Sequence, residues 1–242
     1  MSTPKIAIQT RMWGIDRIET EFEQILDEVL QAGYHGVECR STLLNQEEKV
    51  KAYLEGKSLK IVALHILADA FHKEDLESLL QKMNDLQIPT ILVTLLKKAS
   101  LQEYQQWLKE IGDLADRCAG RNIQLCYHNH DWEFEHGYQL FDEMVKHPNI
   151  RLAIDLAWVF RARYDYKEVI HRYRDSIRYV HLKDTTHDQW KELGHGDMDL
   201  ASAITELKSL DLEWWTVEQD DTDKLPLESA KISRQYLKRL GI

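Results

Sequence analysis

The stretches CYHNHDWE (residues 126–133), LAIDLAW (152–158), YVHLKD (179–184) and WTVEQD (215–220) decide how this chain is read. Each is strand-like and carries a residue able to bind a divalent cation or stand beside one: Glu133, Asp155, His181 and Glu218. Three carboxylates and one imidazole make an oxygen-rich set. It suits a hard or borderline ion such as Mn²⁺, Mg²⁺ or Zn²⁺ better than a structural zinc, which usually recruits thiolates.

The same rhythm extends outward through the chain. Strand-like runs at 6–10, 36–40, 60–66, 90–96, 123–130, 151–158, 177–184 and 213–220 alternate with amphipathic, charge-rich segments at about 19–32, 45–56, 73–86, 100–120, 138–146, 165–175, 199–210 and 227–240. Eight strand–helix units in strict alternation predict an α/β fold, a closed parallel (β/α)₈ barrel. The 242 residues fit one such domain spanning 1–242. Gly33 and Gly120 sit where helix ends need a left-handed residue. The rival, an open doubly wound sheet, calls for a glycine-rich loop after the first strand, and QTRMWGIDR (9–17) is not one.

Composition narrows the partner. With 31 basic against 41 acidic side chains the formal charge is −10, which argues against a nucleic-acid backbone and for a small solute. Cys39, Cys118 and Cys126 are odd in number and lack metal-ligand spacing, and two of them lie in apolar runs, which fits a reducing cytoplasm. Neither a signal-peptide core nor a membrane-length apolar window is seen, so a soluble, cytoplasmic protein without a membrane partner is expected.

Alternation along a barrel strand sorts residues inward and outward. It turns Glu38, Arg40, His65, Cys126, His128, His130, Ala153, Asp155, Tyr179, His181, Lys183, Trp214, Thr216, Glu218 and Asp220 inward. So many ionisable groups inside a barrel must gather around a cation, a ligand or one another, because burying them singly is costly. They also lie at strand C-terminal ends, where barrel enzymes place their chemistry. Blander roles stand beside these. Asp184, Asp220 and Asp221 read as helix caps or loop ligands for backbone N–H groups, whereas Asp155, followed by three apolar residues, does not read as a cap. Trp13, Trp132 and Trp158 are the tryptophans placed to line a pocket; Trp107 and Trp190 fall in surface segments.

YHNHDWEFEHGY (127–138), IDLAWVFRA (154–162), VHLKDT (180–185), ELGHGD (192–197), VEQD (217–220) and ESAKISRQYLKRL (228–240) together resemble the xylose-isomerase-like sugar phosphate isomerase/epimerase superfamily, most densely over 123–240. The resemblance implies a TIM barrel holding one divalent metal, often Mn²⁺ with Mg²⁺, Co²⁺ and Zn²⁺ as alternatives, on Glu133, Asp155, His181 and Glu218. Glu133 departs from the common pattern by following His-Asn-His and Asp131-Trp132, so His128 or His130 could instead approach the metal or act as a base.

The chemistry expected from this set is abstraction of a proton beside a carbonyl or carbinol of a sugar, keto-sugar or cyclitol, with the cation as Lewis acid stabilising an enediolate. An isomerase or epimerase would use Glu133 and Glu218 as base and acid on opposite faces of the substrate, with His128 and Lys183 as further catalytic candidates. Glu38, His65, His130, Trp158 and Arg161 are the candidate substrate-binding residues. Collapse of the same enediolate with loss of a β leaving group would instead make a lyase or dehydratase, and a third reading is a noncatalytic sugar-binding barrel. Phosphate on the substrate and assembly into a homo-oligomer stay open at this point.

Overall fold

The computed structural model describes residues 3–15, 17–68, 75–95 and 100–242. Its strands are β1 (Lys5–Gln9), β2 (Gly36–Arg40), β3 (Lys60–Leu67), β4 (Thr90–Thr94), β5 (Gln124–His128), β6 (Ile150–Asp155), β7 (Ile177–Leu182), β8 (Asp184–Thr185), β9 (Trp190–Lys191) and β10 (Trp214–Val217). β1 to β7 and β10 close into a barrel in sequence order, every neighbouring pair parallel, with β10 lying between β7 and β1. β8 and β9 form a small antiparallel hairpin at the barrel mouth, inserted between β7 and the next helix. The expected (β/α)₈ TIM barrel is therefore the fold.

Helices follow the strands: α1 (Arg17–Thr20), α2 (Phe22–Ala32), α3 (Glu47–Leu54), α4 (Leu76–Asp85), α5 (Leu101–Ala119), α6 (Gln139–Met144), α7 (Leu156–Arg161), α8 (Tyr166–Arg172), α9 (Leu200–Leu207) and α10 (Pro226–Arg239). α2 shows why such segments are helical: Phe22, Ile25, Leu26, Val29 and Ala32 recur at helical spacing and are all buried, and Gly33 ends the helix with φ 87°. α5 starts with a reciprocal capping box between Ser100 and Glu103. Of the expected elements, positions 73–74 of the third helix and Leu96 at the end of the fourth strand lie outside the described residues. Among the described residues no helix is long and apolar enough to cross a membrane.

Two expectations change. Gly120 has φ −61°, and the left-handed residue after α5 is Asn122 at φ 58°, whose short polar side chain tolerates that region. The strand expected over 151–158 stops at Asp155, because the Asp155 side chain caps a new helix, α7, by accepting hydrogen bonds from the N–H groups of Ala157 and Trp158.

The core has two layers. Most apolar side chains pack between strands and helices. A smaller cluster, Ala7, Val62, Ala63, Leu92, Cys126, Ala153 and Tyr179 with Trp214 against it, fills the barrel itself. Below the mouth the barrel is plugged, so the polar residues of the strand ends stand on an apolar floor.

Candidate active site

Strand register builds the site. Asp155 pairs with His181 across β6 and β7, His181 pairs with Thr216 across β7 and β10, and His128 pairs with Ala153 across β5 and β6. Glu218 lies just beyond β10 and extends the ladder by donating its N–H to the Leu182 carbonyl. Asn129, fully buried between the two histidines of HNH, accepts the Asp155 N–H at 3.0 Å through its side-chain oxygen and so ties the end of β5 to the end of β6.

Four side chains converge: one ligand atom each from His128, Asp155, His181 and Glu218, all within 4.8 Å of one another. His128 Nε2 is 3.6 Å from both Asp155 Oδ2 and Glu218 Oε2, and His181 Nδ1 is 2.8 Å from Glu218 Oε2. His128 Nε2, Asp155 Oδ2, His181 Nδ1 and Glu218 Oε2 are all buried and none is aligned in a hydrogen bond. Buried polar atoms are ordinarily satisfied. A cation lying roughly 2 Å from each donor would satisfy all four at once, so the residues present fit a divalent ion.

Asp155 serves two purposes, since Oδ1 caps α7 while Oδ2 faces the cluster. It is a cap after all, contrary to the reading of the sequence. Glu133 lies elsewhere: fully buried, it accepts the Tyr127 hydroxyl at 2.7 Å and the His130 N–H at 2.8 Å. Burial raises its carboxyl from 4.5 to about 7 despite those bonds. The place expected for Glu133 is taken by His128, because Trp132–His136 coils into a 3-10 turn that swings the glutamate away from the mouth.

Lys183 is wholly buried, with Nζ 2.6 Å from Asp220 Oδ2, 3.4 Å from Glu218 Oε1 and 3.5 Å from Asp155 Oδ2. Burial works against its charge, but Glu218, Asp155 and Asp220 outweigh it and raise its pKa. Asp220 also binds Arg11 at 2.8 Å, so it is a salt-bridge residue at the mouth rather than a helix cap. Asp184 takes the expected loop role, accepting hydrogen bonds from the N–H groups of Thr185, Gly194 and Gly196.

Beside the cluster opens a cavity of about 310 Å³ whose wall includes His65, His128, His130, Trp158, Glu218 and Asp220. That volume is at the small end for ligand sites and matches a compact polyol. His130 stacks on Trp132, ring centroids 4.1 Å apart, and burial followed by the neighbouring His128 depresses its pKa to about 2, leaving it neutral. Trp190, read from sequence as a surface residue, also lines the cavity; the β8–β9 hairpin brings it there, and the Arg161 guanidinium lies 3.4 Å from its ring centroid. Arg161 itself is held by Thr185 Oγ1 behind this wall and is not among the residues lining the cavity. Glu38, expected at the substrate, is also not among the lining residues; its buried carboxylate meets His181, Tyr179 and His65. Trp13 is buried with its indole N–H donated to Glu28 and is likewise absent from the wall.

A family model described as xylose isomerase-like TIM barrel matches residues 26–240. The chain belongs to this family. Its relatives include an inosose dehydratase of Geobacillus kaustophilus, 26% identical over 57% of this chain, a match spanning about half (53%) of that protein. Another, the inosose dehydratase of Lacticaseibacillus casei, is 23% identical over 90% of this chain and 89% of its own length. Among solved structures, a sugar phosphate isomerase/epimerase from Parabacteroides distasonis superposes with TM-score 0.79 over 98% of this chain and 94% of that one, at 16% identity. Proteins similar to this chain are thus named, by sequence, for dehydration and, by likeness of fold, for isomerisation and epimerisation.

Proposed function

We propose that this xylose isomerase-like barrel is a metal-dependent dehydratase of a keto-cyclitol or keto-sugar, with a divalent ion held by His128, Asp155, His181 and Glu218. The observation that carries the reading is the convergence of four buried, hydrogen-bond-free donor atoms from four strand ends beside a polyol-sized cavity. A second imidazole in place of a third carboxylate moves the preference toward Mn²⁺, Co²⁺ or Zn²⁺ and away from Mg²⁺. Bound there, the ion would act as a Lewis acid toward substrate oxygens.

Two observations favour elimination over epimerisation. Full-length relatives are named inosose dehydratase. Glu133, needed as the second carboxylate of a two-base epimerase, is sealed between Tyr127 and the His130 amide. Glu218 accepts the proton α to the carbonyl at Oε1, which Lys183 approaches only to 3.4 Å, whereas Asp220 is held by Lys183 at 2.6 Å and by Arg11 at 2.8 Å. The electron pair of the broken C–H bond forms the new C=C bond as the β C–O bond breaks. The departing hydroxyl takes up the proton that Glu218 accepted and leaves as water, so the enzyme's proton count is restored. Against the effect of burial, Lys183 helps to keep Glu218 ionised and lies 3.5 Å from Asp155 Oδ2, while Trp132, Trp158 and Trp190 supply apolar walls for the ring.

The test is product analysis of the Mn²⁺- or Co²⁺-loaded protein with a panel of inososes and keto-hexoses. Loss of water with appearance of an unsaturated ketone or dione is expected. Epimers or isomers without any dehydrated product would return the site to isomerase chemistry, and turnover unaffected by chelation would sink the metal-dependent reading. Glu218→Gln is expected to stay folded and lose most metal affinity or turnover.

A further inference from the structure

The Glu38 carboxylate stands beneath the cluster as a fork between two histidines. Oε2 lies 2.6 Å from His181 Nε2 and also accepts the Tyr179 hydroxyl at 2.9 Å, while Oε1 lies 3.3 Å from His65 Nδ1. The Tyr179 hydroxyl is in turn oriented by accepting from Thr216 Oγ1 at 2.6 Å. An ionised carboxylate only accepts hydrogen bonds. Both ring nitrogens that face it must therefore carry protons. The opposite nitrogens are the ones without partners: His181 Nδ1 looks into the metal-ligand cluster, and His65 Nε2 is buried at the cavity wall with no hydrogen bond.

We propose that Glu38 is a positioning residue that sets the tautomers of a metal-ligand histidine and a cavity histidine together, so that His65 offers the substrate an acceptor nitrogen and selects a hydroxyl at that position. The inference rests on the metal-dependent reading for His181 and on geometry alone for His65. A hydroxyl can donate to His65 Nε2, whereas a carbonyl or ether oxygen there would face a lone pair with nothing to share. The substrate carbonyl accordingly lies away from β3, and a hydroxylated carbon faces it. Glu38 has further work as well, since its own burial is tolerable only while two imidazole N–H groups and a phenol satisfy it.

Histidine-selective ¹⁵N labelling reads both tautomers by NMR, with signals assigned by their loss in His65→Asn and His181→Asn. Expected are a proton on Nδ1 of His65 in the metal-free protein and a proton on Nε2 of His181 in the Zn²⁺-bound protein. Glu38→Gln should abolish the His65 signature and weaken Co²⁺ binding by about 10- to 100-fold, the usual loss when the partner of a ligand histidine is removed. His65→Asn should leave Co²⁺ affinity as in the wild type. A wild-type His65 protonated on Nε2 overturns the proposal, as does a Glu38→Gln protein that binds Co²⁺ with undiminished affinity. Should Glu38→Gln fail to fold, the wild-type spectrum decides alone. Failure of the wild type to bind Co²⁺ or Zn²⁺ at all would defeat the proposed function, while the His65 signal of the metal-free protein would still test the fork.

Discussion

The sequence places both Glu133 and Asp155 among the ligands, with His128 or His130 as the alternative to Glu133, and single contacts separate the two carboxylates. The Glu133 carboxyl, held near 7 by burial, binds a proton in the folded protein that the unfolded chain has already released above about 4.5. Stability from this group is therefore present at low pH and lost as pH rises from about 4.5 through 7, by on the order of 3 kcal/mol for a shift of this size. Glu133→Gln removes that loss, because the amide oxygen can accept from His130 N–H while its NH₂ donates to Tyr127. Denaturation curves at pH 5 and pH 8 should show the variant gaining on the wild type with rising pH, and its metal affinity should be intact. Asp155 is tested differently. Asp155→Asn and Asp155→Ala should both lose metal binding, but the alanine should cost about 1 kcal/mol more stability because it also uncaps α7. Equal stabilities would show that the cap contributes nothing.

At the scale of elements, the barrel closes because small and large inward residues alternate across neighbouring strands. Gly36 on β2 is the tightest example: a Cβ there would lie 2.7 Å from Trp214 and from Val62, and 3.2 Å from Ala7. Gly36→Ala should destabilise by about 1–3 kcal/mol through overpacking, seen as a lower denaturation midpoint. An unchanged midpoint would mean that Trp214 can move aside. The strand ends carry the site with similar economy, since Asn129 pins Asp155 and Thr94 Oγ1 holds the His128 carbonyl at 3.1 Å. HNH was legible as a polar motif at a strand end. The clamp of its asparagine on the next strand was not, because it depends on the register between β5 and β6 rather than on spacing along the chain.

For the whole molecule, folding brings four donors from strands far apart in sequence to one point, so the site exists only in the native state and an ion bound there would stabilise that state. At a free ion concentration of 100 times Kd the gain is about 2.7 kcal/mol. For a domain of this size that corresponds to roughly 5–10 °C in Tm. Chelated protein titrated with Mn²⁺, Co²⁺ or Zn²⁺ should show the rise, Asp155→Asn and Glu218→Gln should not, and Glu133→Gln should behave as the wild type. A rise retained in Asp155→Asn would place the ion elsewhere.

The amino-acid order alone specified the eightfold alternation and the inward phase of strands such as YVHLKD and LAIDLA, because a two-residue period and an amphipathic helix are local consequences of side-chain polarity. It likewise marked Asp155, His181 and Glu218 as strand-end groups too polar to lie inside a barrel without partners. Only the tertiary structure exchanged Glu133 for His128 in the cluster, turned Glu38 from the substrate toward two histidines, and carried Trp190 into the cavity wall on the β8–β9 hairpin. Those outcomes hang on a 3-10 turn, on contacts across the barrel and on a loop folding back over its mouth. The contacts across the barrel in particular are distances between residues remote in sequence, which no pattern along the chain encodes.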